Sequence, residues 1–212
     1  PFTAGPSFLG SGMLLTIDAA GREIARTAIP EAGFLNGMVE APDGGVLIAD
    51  SARAQVLYFD PEDRSVAVWY SDPQLAPSDK PFLPGVNGLK IVDGALVLSS
   101  SAARTLYQLA LSPNGLPQGS LTPLATGLPG ADDFAPLPEG GFLLATHRDR
   151  VVRVGADGAV ATVSDDPRLR GATAVALVGE GAARRAVVLG TGGFSEGLKE
   201  DAVVLSIAFP QP

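Results

Sequence analysis

Asn36, Asn87 and Asn114 are the three asparagines of the chain, and a glycine follows each. Asn-Gly is a common pairing in tight turns, where the side chain bonds its own backbone and the glycine takes a positive φ. Side-chain oxygens that converge from separate segments can instead surround a hard cation such as Ca²⁺ or Mg²⁺. The segments around Asn36 and Asn87 have one counterpart that opens on Asp132 and another that opens on Ala172-Thr173. Two amides, a carboxylate and a hydroxyl therefore recur at comparable places. The single histidine, His147, lies in the stretch ATHRDR (145–150). It is either a solvated turn residue or a general acid or base working near neutral pH. With no cysteine in the sequence, thiol nucleophiles, thiolate metal sites and disulfides are excluded.

The elements that must position these residues are short. With 26 Gly and 18 Pro spread along 212 residues, the apolar runs are four to eight residues long and bounded by turn signals, as strands are. They fall into four columns. The first opens at Asn36, Asn87, Asp132 and Thr173. The second comprises VLIADS (46–51), ALVLSSS (95–101), GFLLATH (141–147) and AVVLGT (186–191). The third comprises QVLYFDP (55–61), TLYQLALS (105–112), RVVRVGADG (150–158) and AVVLSIAFP (202–210), and the fourth SVAVWYSD (65–72), SLTPLAT (120–126) and AVATVSDD (159–166).

The openers are spaced by 51, 45 and 41 residues, and four-stranded units of this length are the signature of β-propeller blades. The expected fold is an all-β propeller forming one domain over 1–212. It has a remnant blade at 13–30, full blades at about 34–72, 86–126 and 132–166, and a last blade at 172–210. Seventeen strands are counted. A six-bladed ring holds about 24, so the chain reads as a propeller without its N-terminal portion, whose open edges a missing segment or a second chain must cover.

A net charge of −8 and no basic run longer than Arg184-Arg185 argue against nucleic acid and anionic membrane surfaces as partners. No apolar stretch approaches a membrane span, and the first residues lack a signal-peptide pattern. A small molecule is the partner expected, in a cytoplasmic or secreted setting. In a propeller the first strand of each blade lines the central channel, and the second returns to the same face. Asn36, Asn87, Asp132 and Thr173 then ring the channel mouth, together with Asp50, Ser99 to Ser101, His147 and Thr191. Asn114 falls in a hairpin turn outside this set. Strand alternation points Asp133 away from the channel if Asp132 points into it. The Pro-rich loop 72–85 is either a lid beside the mouth or a plain connector.

The trio FLNGM (34–38), GVNGLK (85–90) and ADDFAPLPEGG (131–141) resembles the gluconolactonase and senescence-marker-protein (regucalcin) family of six-bladed propellers, nearest to its branch in fungal secondary metabolism. The resemblance covers roughly residues 30 to 195. It implies that Asn87 and Asp132 are metal ligands, with Ca²⁺ the expected cation, and that Asn36 lies near the substrate. Lys90 stands where the family has Asp or Glu, and Asp133 where the lactonases have Gly. The family's first-blade Glu ligand has no counterpart in the chain.

The function expected first is metal-dependent hydrolysis of a lactone-like ester. Asp132 and His147 would be catalytic, Asn36, Asp50, Thr173 and His147 would bind substrate, and Asn87 and Asp132 would bind metal. A metal-free cyclase of the hetero-Diels-Alder type and a non-catalytic scaffold are the alternatives.

Overall fold

The computed structural model describes residues 12–79, 82–193, 197 and 200–208. The first pair of strands is β1 (Gly12–Ile17) and β2 (Glu23–Ile29). A four-stranded sheet follows: β3 (Leu35–Glu40), β4 (Val46–Asp50), β5 (Gln55–Phe59) and β6 (Val66–Ser71). After a two-residue pair, β7 (Ser78–Asp79) and β8 (Phe82–Leu83), comes a second such sheet: β9 (Val86–Val92), β10 (Ala95–Ser100), β11 (Thr105–Leu111) and β12 (Pro117–Ala125). The third contains β13 (Phe134–Pro136), β14 (Phe142–Ala145), β15 (Val151–Val154) and β16 (Val160–Ser164). Three strands close the series, β17 (Ala172–Val178), β18 (Arg185–Gly190) and β19 (Val203–Ala208). Residues 209 and 210, the expected end of this unit, lie outside the described residues.

Within each sheet the strands are antiparallel and neighbours in sequence are neighbours in space. This up-and-down order with radial repetition is a propeller, present here as a partial one. The short β7–β8 pair and a 3₁₀ turn at Pro73–Leu75, capped by the Asp72 side chain, lie within the Pro-rich loop. Among the described residues, no helix is long and apolar enough to cross a membrane.

The core lies between the blades. Every residue of β10 is buried, because a neighbouring sheet covers each of its faces. Leu96 and Leu98 pack with Leu47, Leu75 and Leu89 on one side, while Val97 joins Leu106, Phe134 and Leu144 on the other. This period-two division is what the pleat imposes, and each fully buried leucine contributes roughly 1.5–3 kcal/mol. Among the described residues, the two ends of the row have no such cover. Ile17 is 60% exposed on β1 and Val204 70% exposed on β19.

One expectation needs correcting. Gly37 and Gly88 do not make turns: they lie inside β3 and β9, and neither is among the residues with positive φ. Their role is close approach. A Cβ on Gly37 would come within 2.5 Å of the Asn87 carbonyl oxygen, and one on Gly88 within 3.0 Å of the Asp132 carbonyl oxygen. The inner strands of successive blades pack backbone to backbone there, so glycine follows each channel asparagine for steric reasons.

Candidate functional site at the inner strand ends

The two strand ends of each blade meet through a repeated hydrogen-bond pattern. In the first full blade, Asn36 Nδ2 donates to Ser51 Oγ at 3.2 Å, and the Ser51 hydroxyl donates to the carbonyl of Val86 at 2.5 Å. In the next, Asn87 Nδ2 donates to Ser101 Oγ at 3.0 Å, and the Ser101 hydroxyl donates to the carbonyl of Ala131 at 2.6 Å. Val86 immediately precedes Asn87, and Ala131 immediately precedes Asp132. Each serine thus ties its own blade's opener to the backbone that carries the next one.

The third blade replaces amide and hydroxyl by an acid and a base. Asp132, 5% exposed, sits just before β13, where its N–H donates to Ala145 and extends the ladder with β14. Asp132 Oδ2 is 2.6 Å from His147 Nδ1 and accepts the Thr173 hydroxyl at 2.8 Å. An ionised carboxylate only accepts, so Nδ1 carries the ring proton in this contact. His147 occupies the sequence-column position of Ser51 and Ser101, at the end of GFLLATH as they end VLIADS and ALVLSSS. Its backbone is left-handed, with φ of 56°, a sparsely populated conformation for a non-glycine residue that tends to persist at functional sites. The His147 N–H donates to the carbonyl of Ala172 at 2.6 Å, the residue before Thr173, so the blade-to-blade link is kept by backbone. The histidine side chain is 41% exposed.

The mouth thus brings Asn36, Asn87, Asp132, His147 and Thr173 to one end of the inner strands. Asp50 is different. It is fully buried, and its carboxylate accepts from the N–H groups of Gly33 (2.9 Å), Phe34 (2.9 Å) and Ala52 (3.3 Å) and from Gln55 Nε2 (3.1 Å). These donors use both oxygens, so Asp50 holds the entry to β3 and the β4–β5 turn rather than a substrate. The side chain that faces Asn36 is Ser51, one residue later. A strict column alignment would have pointed to Ser51, which ends VLIADS as His147 ends GFLLATH. Thr191, the fourth member of that column, donates to the carbonyl of Gly171 at 3.2 Å.

Asp133 meets Lys90 at 2.6 Å, and Lys90 Nζ lies 5.4 Å above the Phe134 ring. The other Asp133 oxygen accepts a long bond, 3.4 Å, from the N–H of Val175 on β17. Asp133 therefore bridges the inner strands on either side of it, instead of turning into its own sheet. Both Asp133 oxygens are thus engaged in contacts between blades.

For a cation the described residues offer part of a set. The Asn87 and Asp132 Oδ1 atoms accept no hydrogen bond among the described residues. No group of three or more His, Asp or Glu suited to a metal is found among them. Two oxygens with one negative charge fit a Ca²⁺ site only in part, since that ion takes about six to eight oxygens. Farther along the same loop, the Arg150 guanidinium beside Asp149 holds that carboxyl below its ordinary value, despite the opposing effect of burial.

No family model matches the chain, and no curated protein matches it. Solved structures do. A luciferin-regenerating enzyme superposes with a TM-score of 0.65 at 17% identity, over 92% of this chain and 70% of its own. A streptogramin B lyase gives 0.55 at 14%, over 84% and 51%. A protein provisionally named a gluconolactonase gives 0.53 at 14%, over 83% and 64%. The chain spans about half the length of the streptogramin B lyase. At such identities the likeness is one of fold, and that fold is the β-propeller.

Proposed function

We propose that the chain belongs to a small-molecule enzyme that works at the propeller mouth and hydrolyses a lactone-like ester, in a whole protein of six blades. The observation that carries this reading is the 2.6 Å contact of Asp132 and His147, with Thr173 on the same carboxylate oxygen. A buried carboxylate that fixes an exposed imidazole is an arrangement suited to proton transfer. His147 takes a proton from water as that water attacks the ester carbonyl carbon. The ring C–O bond then breaks, and the imidazolium returns the proton to the departing alkoxide. Asp132 holds the imidazole with Nδ1 protonated and stabilises its charged form. Asn36 and Thr173 border the space a substrate would take.

The fit of a divalent cation rests on Asn87 Oδ1 and Asp132 Oδ1, with further ligands supplied from beyond the described residues or by water. When bound there, Ca²⁺ would polarise the ester carbonyl. The likeness to a gluconolactonase-like and a luciferin-regenerating propeller is compatible with a propeller enzyme, and the FLNGM, GVNGLK and ADDFAPLPEGG motifs supply the lactone preference.

A metal-free cyclase is the second reading. It is favoured by the engagement of Asp132 Oδ2 with both His147 and Thr173, which leaves a cation only the other oxygen. The same groups would then orient a reactive enone by hydrogen bonds. Hydrolysis of a panel of five- and six-membered lactones, with and without added Ca²⁺ and after chelation, separates the two. Calcium-dependent ring opening supports the hydrolase, and none under any condition excludes it.

A further inference from the structure

Ser51 and Ser101 carry no role in the proton transfer above, yet the geometry lets each decide which atom its asparagine offers to the channel. A serine hydroxyl has one hydrogen, and a backbone carbonyl can only accept. The Ser101 hydrogen is committed to the carbonyl of Ala131 at 2.6 Å, and that of Ser51 to the carbonyl of Val86 at 2.5 Å. What each serine can still do is accept. Only the amide nitrogen of the asparagine can satisfy it, so Nδ2 must face the serine, at 3.0 Å for Asn87 and 3.2 Å for Asn36.

The amide oxygen is thereby turned to the opposite side. Asn87 Oδ1 accepts no bond among the described residues, and no buried side-chain oxygen or nitrogen among them lacks a partner. It therefore keeps access to the open space beside β9. That space is the channel, because successive blades touch through their first strands. The Asp132 Oδ1 atom stands the same way on the next blade, and its carboxylate brings the negative charge.

We infer that Ser51 and Ser101 are positioning residues that set the polarity of the mouth, turning the Asn36 and Asn87 amides so that, beside the Asp132 carboxylate, they form a run of hydrogen-bond acceptors that selects a cationic or hydrogen-bond-donating guest. This rests on the reading of the mouth as the binding site, but it concerns how the chain's own amides are held. Without the serine hydroxyl the amide is free to turn over, and a donor replaces an acceptor in the channel wall. The Asn87 amide and the Ala131 carbonyl also lose their common partner.

Three asparagines make the test direct. The full chain labelled with ¹⁵N at asparagine gives three side-chain NH₂ groups. For Asn36 and Asn87 one hydrogen of each pair should be shifted downfield and the C–N rotation slowed, while exposed Asn114 serves as the averaged reference. Ser101→Ala should bring the Asn87 pair to the Asn114 pattern and leave Asn36 unchanged, and Ser101→Thr, which keeps the hydroxyl, should restore it. In a calcium titration Ser101→Ala should weaken binding about 10- to 100-fold, the cost typical of losing a group that orients a ligand, and Ser101→Thr should not.

An Asn87 pair that matches Asn114 in the unmodified protein, or that is unmoved by Ser101→Ala, overturns the inference. The first of these needs no variant to fold. Expected NH₂ patterns without calcium binding uphold the inference and count against the cation in the proposed function.

Discussion

Lys90 on β9 and Asp133 at the entry to β13 lie 2.6 Å apart across two neighbouring blades. These are two positions at which the sequence departs from the pattern it resembles, a lysine for an acid and an aspartate for a glycine. The departures meet and offset each other: one charge at either position alone would be left partly desolvated, whereas together they form an ion pair backed by the Phe134 ring. Their side chains are 32% and 26% exposed, so the pair is worth about 1 kcal/mol or less after screening. In a double-mutant cycle, Lys90→Ala and Asp133→Ala should therefore show a coupling of about 0.5–1 kcal/mol in chemical denaturation, and additive effects would contradict the pairing.

Asp50 is a structural residue. Replacing it by Ala removes the acceptor of four donors, the N–H groups of Gly33 and Phe34 among them. A loss of about 2–4 kcal/mol is expected from charge-assisted bonds of this kind. Denaturant midpoints measure it, and a substrate-binding role would appear instead as a change in KM at unchanged stability.

Gly88→Ala should destabilise the fold by about 1–3 kcal/mol, because the new Cβ meets the backbone of Asp132 and Asp133 and crowds the Asp133 carboxylate. Gly37→Ala should cost more, its closest contact being 2.5 Å against 3.0 Å. Equal, negligible shifts in midpoint for both would refute the close-approach role.

His147 should show the Nδ1-protonated tautomer when neutral. As the single histidine it gives one set of ring ¹⁵N shifts. Asp132→Asn should abolish the preference, and a dominant Nε2-protonated form in the unmodified protein would contradict the contact.

Asp166 should stay ionised to unusually low pH, since its side-chain and backbone bonds with Arg168 lower its pKa to about 2. A depressed carboxylate contributes stability above its unfolded value of 3.8 that is lost as pH falls toward 2. Carboxyl ¹³C titration checks this, and Arg168→Ala should return the midpoint toward 3.8.

Much of the architecture was legible because propeller blades repeat. The columns of short apolar runs place the strands of β3–β6, β9–β12, β13–β16 and β17–β19, and the openers Asn36, Asn87, Asp132 and Thr173 line up at one end. The sequence was less informative at single-residue resolution. Asp50 and Ser51 are adjacent polar residues at a strand end, and the backbone register separates the one that braces a turn from the one that holds Asn36. Asn-Gly reads as a turn from local chemistry, whereas here Gly37 answers to the backbone of Asn87 on the next blade, a constraint that no local pattern contains. The Lys90–Asp133 pair is likewise a contact between blades, invisible until the inner strands are set side by side.

The central claim is that the Asp132–His147 pair performs chemistry at the mouth. Its most direct test is the rate of lactone ring opening by the full-length protein and its Asp132→Asn and His147→Ala variants, all supplied with Ca²⁺. Both substitutions should lower kcat about 10²- to 10⁴-fold, the range for loss of general acid-base catalysis. Ring opening that proceeds undiminished in both variants, or is absent from the unmodified protein across the panel, would contradict it.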